Sequence, residues 1–321
     1  MDEKKLMLAQ EELKAKLQEI AVSGATGNSV ELARLANMPY DAEFPVPEVI
    51  SAISKTATVA KGEDYEYFVV GVETKTVYTV VDGTITQVNV TPDSENDLSF
   101  STYESPEYYV YVEKLLEAKY EPIAIKTKVA MEALNRKEIH DVLALGIASA
   151  VAQSNTFVND SGSSAIDFEK VVEMVRSVAK YGKNLVLVTG ADVHTDVILM
   201  DYSEDKNREV SLAKAGISRE IPIESLTYEH SGTIPVFPAD KALLVAVSDS
   251  EDNEPIHFVR RSVQSIDGSG EKERVVMASG PGFWAGAVRK WAYAIVAMEQ
   301  YGCVVVNPFC FAVYKNASIY S

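Results

Sequence analysis

The sequence predicts an α+β protein, and three stretches carry that expectation. From Trp291 to Val313 the chain runs WAYAIVAMEQYGCVVVNPFCFAV, with Glu299 its only charged side chain. Residues 62–127 alternate like strands, and they hold Asp82-Gly83, a strong hairpin signal. Residues 128–156 read as the best helix, with Ile139, Val142, Leu143, Ile147 and Val151 on one stripe and Arg136, Lys137, Glu138 and Asp141 off it.

In chain order, residues 2–22 read as an amphipathic helix with Leu6, Leu13, Leu17 and Ile20 on a narrow stripe. A helix of this length with so narrow a stripe is marginal by itself, so it needs a partner surface, on its own body or on a neighbouring chain. Residues 37–61 carry Pro39, Pro45 and Pro47 without periodicity and read as an extended arm. YEYFVVGV, TVYTVV, TITQVNV, LSFSTY, YYVYV and YEPIAIK follow as strands. Eight of the chain's 16 tyrosines lie between Tyr65 and Tyr120. Tyrosine joins a large contact area to a polar tip and favours half-wet surfaces and interfaces. After the long helix come a helix at 167–181, a buried strand LVLVT, a short helix at 192–201, and a β–turn–β unit in GTIPVFPADKALLVAV. The strands HFVRRSVQSI and ERVVMAS, a turn at Ser279-Gly280-Pro281-Gly282 and the apolar tail complete the chain.

The tail is too broken for a membrane helix, which needs about 20 uninterrupted apolar residues. Glu299-Gln300, Gly302 and Asn307-Pro308 divide it into AIVAM, CVVV and FCFAVY, pieces of strand length. Val304 to Val306 suggest a strand covered on both faces. Near the N-terminus, Lys4-Lys5 precedes only Leu6 to Ala9 before charges resume, which does not make an export signal. The expectation is a soluble protein of two or three subdomains, its 321 residues 47% hydrophobic. Its two cysteines, Cys303 and Cys310, are expected as packing residues rather than a disulfide. A net charge of −17 argues against a tight grip on nucleic acid.

The search for chemistry finds fragments. Thr189-Gly190-Ala191, between a strand and a helix, resembles the opening of a dinucleotide site, and Tyr202 and Lys206 add a Tyr-x-x-x-Lys spacing. His194 and Asp196 occupy the positions where further glycines would be needed, and their bulk and charge oppose phosphate. Asp192, His194 and Asp196 have a spacing that could begin a metal site. More simply, Asp192 caps the helix and Asp196 favours its first turn. His140, His230 and His257 are scattered, with His140 expected at a surface or interface. The acidic run Asp249, Glu251, Asp252 and Glu254 lacks the glycine of a calcium loop. No P-loop and no G-x-S-x-G elbow is present. No catalytic, cofactor or metal residue is assigned.

The order of elements, more than any motif, is distinctive. YEPIAIKTKVAMEALNRKEIHDVLALGIASAVAQ, GKNLVLVTGADVHTDVILMDY, SGTIPVFPADKA and WAYAIVAMEQYGCVVVNPFCFAVYKN together resemble the Hong Kong-97-like major capsid protein fold of tailed phages, which encapsulin shells share. The resemblance implies an N-terminal helix and N-arm over 1–61 and an extended β-hairpin loop over 62–127 lying on an adjacent subunit. It implies a peripheral domain with spine helix over 128–160 and 251–321, and an axial domain over 161–250. In the last quoted stretch it implies a turn at Tyr301-Gly302 and a closing strand that ends in Lys315, the two strands forming a pair.

The function implied is self-assembly, through pentamers and hexamers, into an icosahedral shell around phage DNA held without sequence-specific contacts. Possible partners are a separate scaffolding protein, a portal and decoration proteins; no cofactor and no membrane are implied. Leu6, Leu13, Leu17, Tyr65, Tyr67, Tyr78, Tyr103, Tyr109 and Tyr111 are the expected subunit-interface residues. Some members join subunits through a lysine and an asparagine; Lys75, Asn307 and Asn316 are present, but no motif fixes a pair. An encapsulin-type compartment, a tail component and an α/β oxidoreductase using the Thr189-Gly190-Ala191 turn stand as alternatives. Glu299 either points out of its sheet or has a basic partner, such as Arg289 or a residue of a neighbouring subunit.

Overall fold

The computed structural model describes residues 46–67, 96–111, 122–159, 168–203, 212, 215–223, 227–229, 233–248, 254–264, 270–283 and 291–316. The elements in chain order begin with α1 (Glu48–Ile53), β1 (Ser54–Val59), β2 (Glu66–Tyr67), β3 (Asn96–Asp97), β4 (Ser101–Glu104) and β5 (Tyr108–Tyr111). The helix α2 (Pro122–Ala152), β6 (Thr156–Val158), α3 (Phe168–Val178), β7 (Asn184–Thr189) and α4 (Ala191–Ser203) follow. Then come β8 (Arg219–Pro222), β9 (Thr227–Glu229), β10 (Thr233–Pro235), β11 (Lys241–Val247) and β12 (Ile256–Arg261). The chain ends with β13 (Val263–Gln264), β14 (Glu271–Lys272), β15 (Arg274–Phe283), β16 (Trp291–Val305), a 3₁₀ turn (Pro308–Cys310) and β17 (Phe311–Lys315).

Two sheets organise this mixed α/β molecule. The first is six-stranded, in the order β1-β12-β16-β15, with β4 and β5 also paired to β16. The second is five-stranded, in the order β6-β17-β11-β7-β8. Its inner strands, NLVLVT and KALLVAV, are nearly continuous apolar runs because they are covered on both faces. One cover is α3, whose Val171, Met174, Val175 and Val178 recur at helical spacing and are all buried. The helix α2 spans both sheets, packing on β16 and β5 of the first and on β17 and β11 of the second.

Several local expectations are corrected. Residues 48–59 form a helix and a strand rather than an extended arm: Val49, Ile50 and Ile53 are buried, and β1 pairs in parallel with β12. The segment around Pro122 is not a strand; α2 begins at that proline, whose fixed φ and missing N–H suit a first helical position. The helix ends at Ala152, so that 156–158 form an edge strand instead of its last turn. Val151, read as core, is 58% exposed, whereas Glu138, read as outward, is fully buried. The β10 strand pairs with β9 and not with β11, so the expected β–turn–β unit is a strand, a turn and a strand without mutual pairing. Ser279 to Gly282 is an irregularity inside β15 rather than a turn. Residues 68–95, with Asp82-Gly83, lie outside the described residues.

The apolar tail departs most from its reading. β16 is one uninterrupted strand of 15 residues, through Glu299, Gln300 and Gly302. There is no turn at Tyr301-Gly302. A Cβ on Gly302 would stand 2.6 Å from Ser99 O and 2.9 Å from the Leu98 side chain, so glycine serves the close approach of a second backbone. The break comes at Asn307-Pro308, where the Asn307 side chain accepts a hydrogen bond from Phe309 N at 3.2 Å and caps the 3₁₀ turn. That turn carries the chain out of the first sheet and into the second, so β16 and β17 are not a pair. The closing strand does end at Lys315. Val304 and Val305 are half-buried and only Val306 is fully inside. Both cysteines are free, and burial pushes each thiol up to about 12, as suits packing residues. Among the described residues no helix is long and apolar enough to cross a membrane.

The contact at Gly302 makes a direct test. Gly302→Ala must displace the Leu98-Ser99 backbone, and it is expected to lower stability by about 1–3 kcal/mol, read from the urea unfolding midpoint.

Candidate functional site

The chemically dense region lies where α2 crosses the first sheet. Met131, Leu134, Glu138 and Val142 fall on one side of α2, and all four are buried. Glu138 therefore meets the sheet with the apolar residues around it, and it is held there by charge. Arg260 of β12 donates to it in a fork, Nε to Oε1 at 2.8 Å and Nη2 to Oε2 at 2.9 Å. From β15, Arg274 Nη2 forms an ion pair with Oε2 at 2.8 Å. Arg274 Nε donates to Glu299 Oε2 at 2.5 Å, and Nη1 donates to Asn135 Oδ1 at 2.6 Å. Arg274 and Glu299 are direct cross-strand partners. At the rim, Arg260 Nη1 reaches Glu273 Oε2 at 3.1 Å, and Thr58 of β1 donates to the same carboxylate at 2.7 Å.

Glu299 thus points into the core, and its partner is Arg274; Arg289 lies outside the described residues. Three carboxylates, of Glu138, Glu273 and Glu299, face the two guanidiniums of Arg260 and Arg274. Glu299 is the least well served, since its Oε1 is buried without a hydrogen bond among the described residues. Burial, and then the Glu138 carboxylate, raise its pKa to about 8 against the pull of Arg274 and Arg260.

A polar and aromatic layer continues from the network. Tyr301, opposite Arg260 in the sheet, donates to Asp141 Oδ2 of α2 at 2.7 Å. Burial and that carboxylate hold its phenol far above the ordinary range. Tyr103 stacks on Tyr301 with ring centroids 4.3 Å apart, and Lys137 Nζ stands 5.1 Å from the centre of the Tyr103 ring. Lys137 also pairs with Asp141. The arrangement joins helix to sheet; it presents no nucleophile and base with an oxyanion site between them.

The turn after β7 is occupied by protein. A Cβ on Gly190 would meet Pro238 O at 2.2 Å and Ala239 O at 2.7 Å. The first amides of α4 are already used, because Asp192 N and Val193 N donate to Ala239 O at 3.1 and 3.3 Å. A pyrophosphate needs both that space and those amides. The α4 N-terminus is therefore capped by a carbonyl and not by the Asp192 side chain. His194 Nδ1 lies 2.9 Å from Glu220 Oε1, and Asp196 Oδ2 accepts from Asn316 Nδ2 at 2.5 Å, so the suspected ligands turn to different partners. No group of metal-ligating side chains assembles among the described residues. His140, expected at a surface or interface, places Nδ1 3.2 Å from Val236 O. Lys75 and Lys206 lie outside the described residues.

No protein-family model matches the sequence, and no curated protein is similar to it. Solved structures are similar in fold. One from Microbacterium phage Oxtober96 covers 88% of this chain and 98% of its own, at 11% identity and a TM-score of 0.52. One from Gordonia phage Cozz covers 87% and 88%, at 15% identity and a TM-score of 0.52. The capsid structure of the cyanophage P-SCSP1u covers 87% and 94%, at 12% identity and a TM-score of 0.46. The chain shares its fold with the structures from these two phages, Oxtober96 and Cozz.

In that fold, the tyrosines singled out for subunit contacts divide by position. Tyr103 is engaged with Tyr301 and Lys137 as described, and Tyr65 OH lies 3.2 Å from His257 Nδ1. Tyr67 is half-buried on β2, and Tyr109 and Tyr111 are half-buried on β5, with the Tyr109 hydroxyl donating to Glu107. Leu6, Leu13, Leu17 and Tyr78 lie outside the described residues. Sequence reasoning missed the Glu138, Arg260, Arg274 and Glu299 network. A signal existed: Glu138 stands four residues from both Leu134 and Val142, on the buried face.

Two substitutions test the network. Arg274→Leu leaves Glu138 and Glu299 short of countercharge and is expected to cost about 3–5 kcal/mol at pH 8.5 or about there. Glu299→Gln keeps an acceptor for Arg274 Nε and removes the surplus charge. The unfolded chain ionises Glu299 near 4.5 and the folded chain near 8. The stability it contributes is thus full below the first value and declines through the second, by up to about 1.4 kcal/mol per pH unit. Urea midpoints across this range should fall more steeply for the parent than for Glu299→Gln, with the variant the more stable above pH 8 or thereabouts. Equal slopes would show that Glu299 does not bind the extra proton.

Proposed function

We propose that the chain is a major capsid protein that self-assembles, through pentamers and hexamers, into an icosahedral shell enclosing phage DNA. The observation that carries this is the fold, common to phage structures over nearly nine-tenths of the chain at a TM-score of 0.52. In this reading α2 is the spine helix, and 128–160 with 251–321 make the peripheral domain. Residues 161–250 make the axial domain, 62–127 the extended loop and 1–61 the N-terminal helix and N-arm. The loop lies over an adjacent subunit and gives its tyrosines a surface to cover, with Tyr65, Tyr67, Tyr78, Tyr103, Tyr109 and Tyr111 near that contact. Leu6, Leu13 and Leu17 supply the apolar stripe of the N-terminal helix.

A net charge of −17 suits a container that holds DNA without gripping it, because an acidic lining repels phosphate. The shell is part of the virion, formed in the host cytoplasm, and a separate scaffolding protein, a portal and decoration proteins are its other partners. The carbonyls of Pro238 and Ala239 fill the turn at Gly190, the place where the sequence resembled a dinucleotide site.

Electron microscopy of the purified, expressed chain tests the proposal. Closed icosahedral particles are the expected result, with nucleic acid in large shells. Small shells with enzyme cargo would instead mark a protein compartment, and tubes or rings a tail component. A chain that stays monomeric at every concentration, with and without co-expressed scaffold, would overturn the proposal. Tyr109→Ala and Tyr111→Ala should raise the concentration at which shells appear by about tenfold while leaving the unfolding midpoint of the free subunit nearly unchanged.

A further inference from the structure

The face of the first sheet turned away from α2 carries a row of its own. Side chains alternate along β12, so Phe258 and Arg260 lie on the α2 side while His257, Val259 and Arg261 lie on the other. Gly302 is the cross-strand partner of Val259 and stands on that same face. Across this row run the two arms of the β2–β3 ribbon. One enters through Glu63, Asp64 and Tyr65, the other returns through Leu98, Ser99 and Phe100, and Leu98 N ties them by donating to Tyr65 O at 2.9 Å. Tyr65 OH lies 3.2 Å from His257 Nδ1, and the missing side chain of Gly302 lets Leu98 and Ser99 pass.

Arg261 holds both arms at once. On the entering arm its Nη2 donates to Glu63 O and lies 3.4 Å from Asp64 Oδ1. On the returning arm its guanidinium carbon stands 3.9 Å from the centre of the Phe100 ring. Asp64 is well exposed, so its ion pair alone holds little, and the carbonyl and the ring supply the fixed directions. A planar guanidinium can stack by its face while donating from its edge, which an ammonium cannot do. The turn before the entering arm is fixed as well, with Gly62 at φ 84° and Glu63 N donating to Ala60 O at 3.2 Å.

We propose that Arg261 is a positioning residue: by gripping both arms, it sets the direction in which the β2–β3 ribbon leaves the body of the subunit. The consequence for assembly rests on the capsid reading, in which this ribbon begins the extended loop that meets a neighbouring subunit. The grip itself is a property of one chain.

Spin labels on Asp97→Cys in the ribbon and Ala148→Cys in α2 provide the test. In the full-length chain, diluted with unlabelled chain, they report a distance within one molecule. Labelling of the parent sets the contribution of Cys303 and Cys310. One narrow distribution is expected with Arg261 in place. Arg261→Ala should broaden it and speed hydrogen exchange of the Leu98 amide about tenfold, while amides of β7 and β11 keep their protection. Phe100→Leu removes the ring but keeps apolar volume; it should broaden the distribution in the same way, and it decides the matter if Arg261→Ala does not fold. Arg261→Lys should fall between parent and Arg261→Ala. A lysine variant indistinguishable from the parent would assign the effect to charge alone and overturn the grip. So would a broad distribution in the parent, or a narrow one kept by both Arg261→Ala and Phe100→Leu. Absence of shells with the grip intact would count against the capsid reading alone, and closed shells from a parent chain with a broad distribution against the grip alone.

Discussion

Two arginines with almost no solvent contact, Arg260 and Arg274, dictate how the long helix meets the first sheet. Removing a charge from water costs several kcal/mol even after the protein relaxes, and attraction offsets that cost only where the geometry is good. Glu138 supplies this geometry, accepting a fork from Arg260 while lying against Arg274. Sliding α2 by one residue would swing Glu138 about 100° around the helix and leave both guanidiniums unmatched. Slipping β15 by one residue would break the Arg274–Glu299 pair and turn Arg274 to the opposite face. The network is therefore better understood as a register lock than as a source of net stability, because well-packed apolar residues of equal volume could be as stable.

The lock explains a division along α2. As far as Asp141 it turns polar groups to the sheet, namely Asn135, Glu138 and Asp141, each with a named partner. From Val142 to Ala152 it presents only apolar or small residues to β11 and β17. Directional bonds set the helix at one end, and non-directional burial holds it at the other. The tail connects the two ends. β16 runs through the first sheet, turns at the capped 3₁₀ segment, and β17 enters the second sheet between β6 and β11. A displacement of either sheet must then pass through Asn307 and the ends of these strands.

Wherever one segment decided its own structure, the sequence was easy to read. The buried strand at 184–189, the helices at 168–178 and 191–203 and the closing strand at 311–315 follow from runs and periods that their own residues carry. The failures occur where a distant segment decided. Gly302 looked like a turn because nothing local reveals that Ser99 O approaches it. Glu138 looked solvent-facing because charge normally marks the wet side, and its countercharges lie on strands more than 120 residues away. Pro45 and Pro47 suggested an arm, but the residues just after them are needed to complete the sheet edge beside β12. The candidate site was legible only as an oddity, the single charge at Glu299 in an apolar run. Its partner was sought on the wrong residue, because cross-strand register cannot be read from one strand.

That oddity bears on the shell proposed for this chain. Copies that each carry −17 repel one another over about the Debye length, roughly 8 Å at physiological salt. In the proposed shell, attraction between them would therefore have to come from groups in direct contact, where apolar area and hydrogen bonds outweigh screened charge. Half-buried tyrosines on β2 and β5 have the required character, offering ring area with a hydroxyl that can bond across a wet boundary. The strongest ionic groups of the described core have been turned inward instead, where they fix the shape of one subunit. Charge in this molecule thus serves fidelity within a chain, and in the proposed shell contact between chains would fall to aromatic and apolar surfaces.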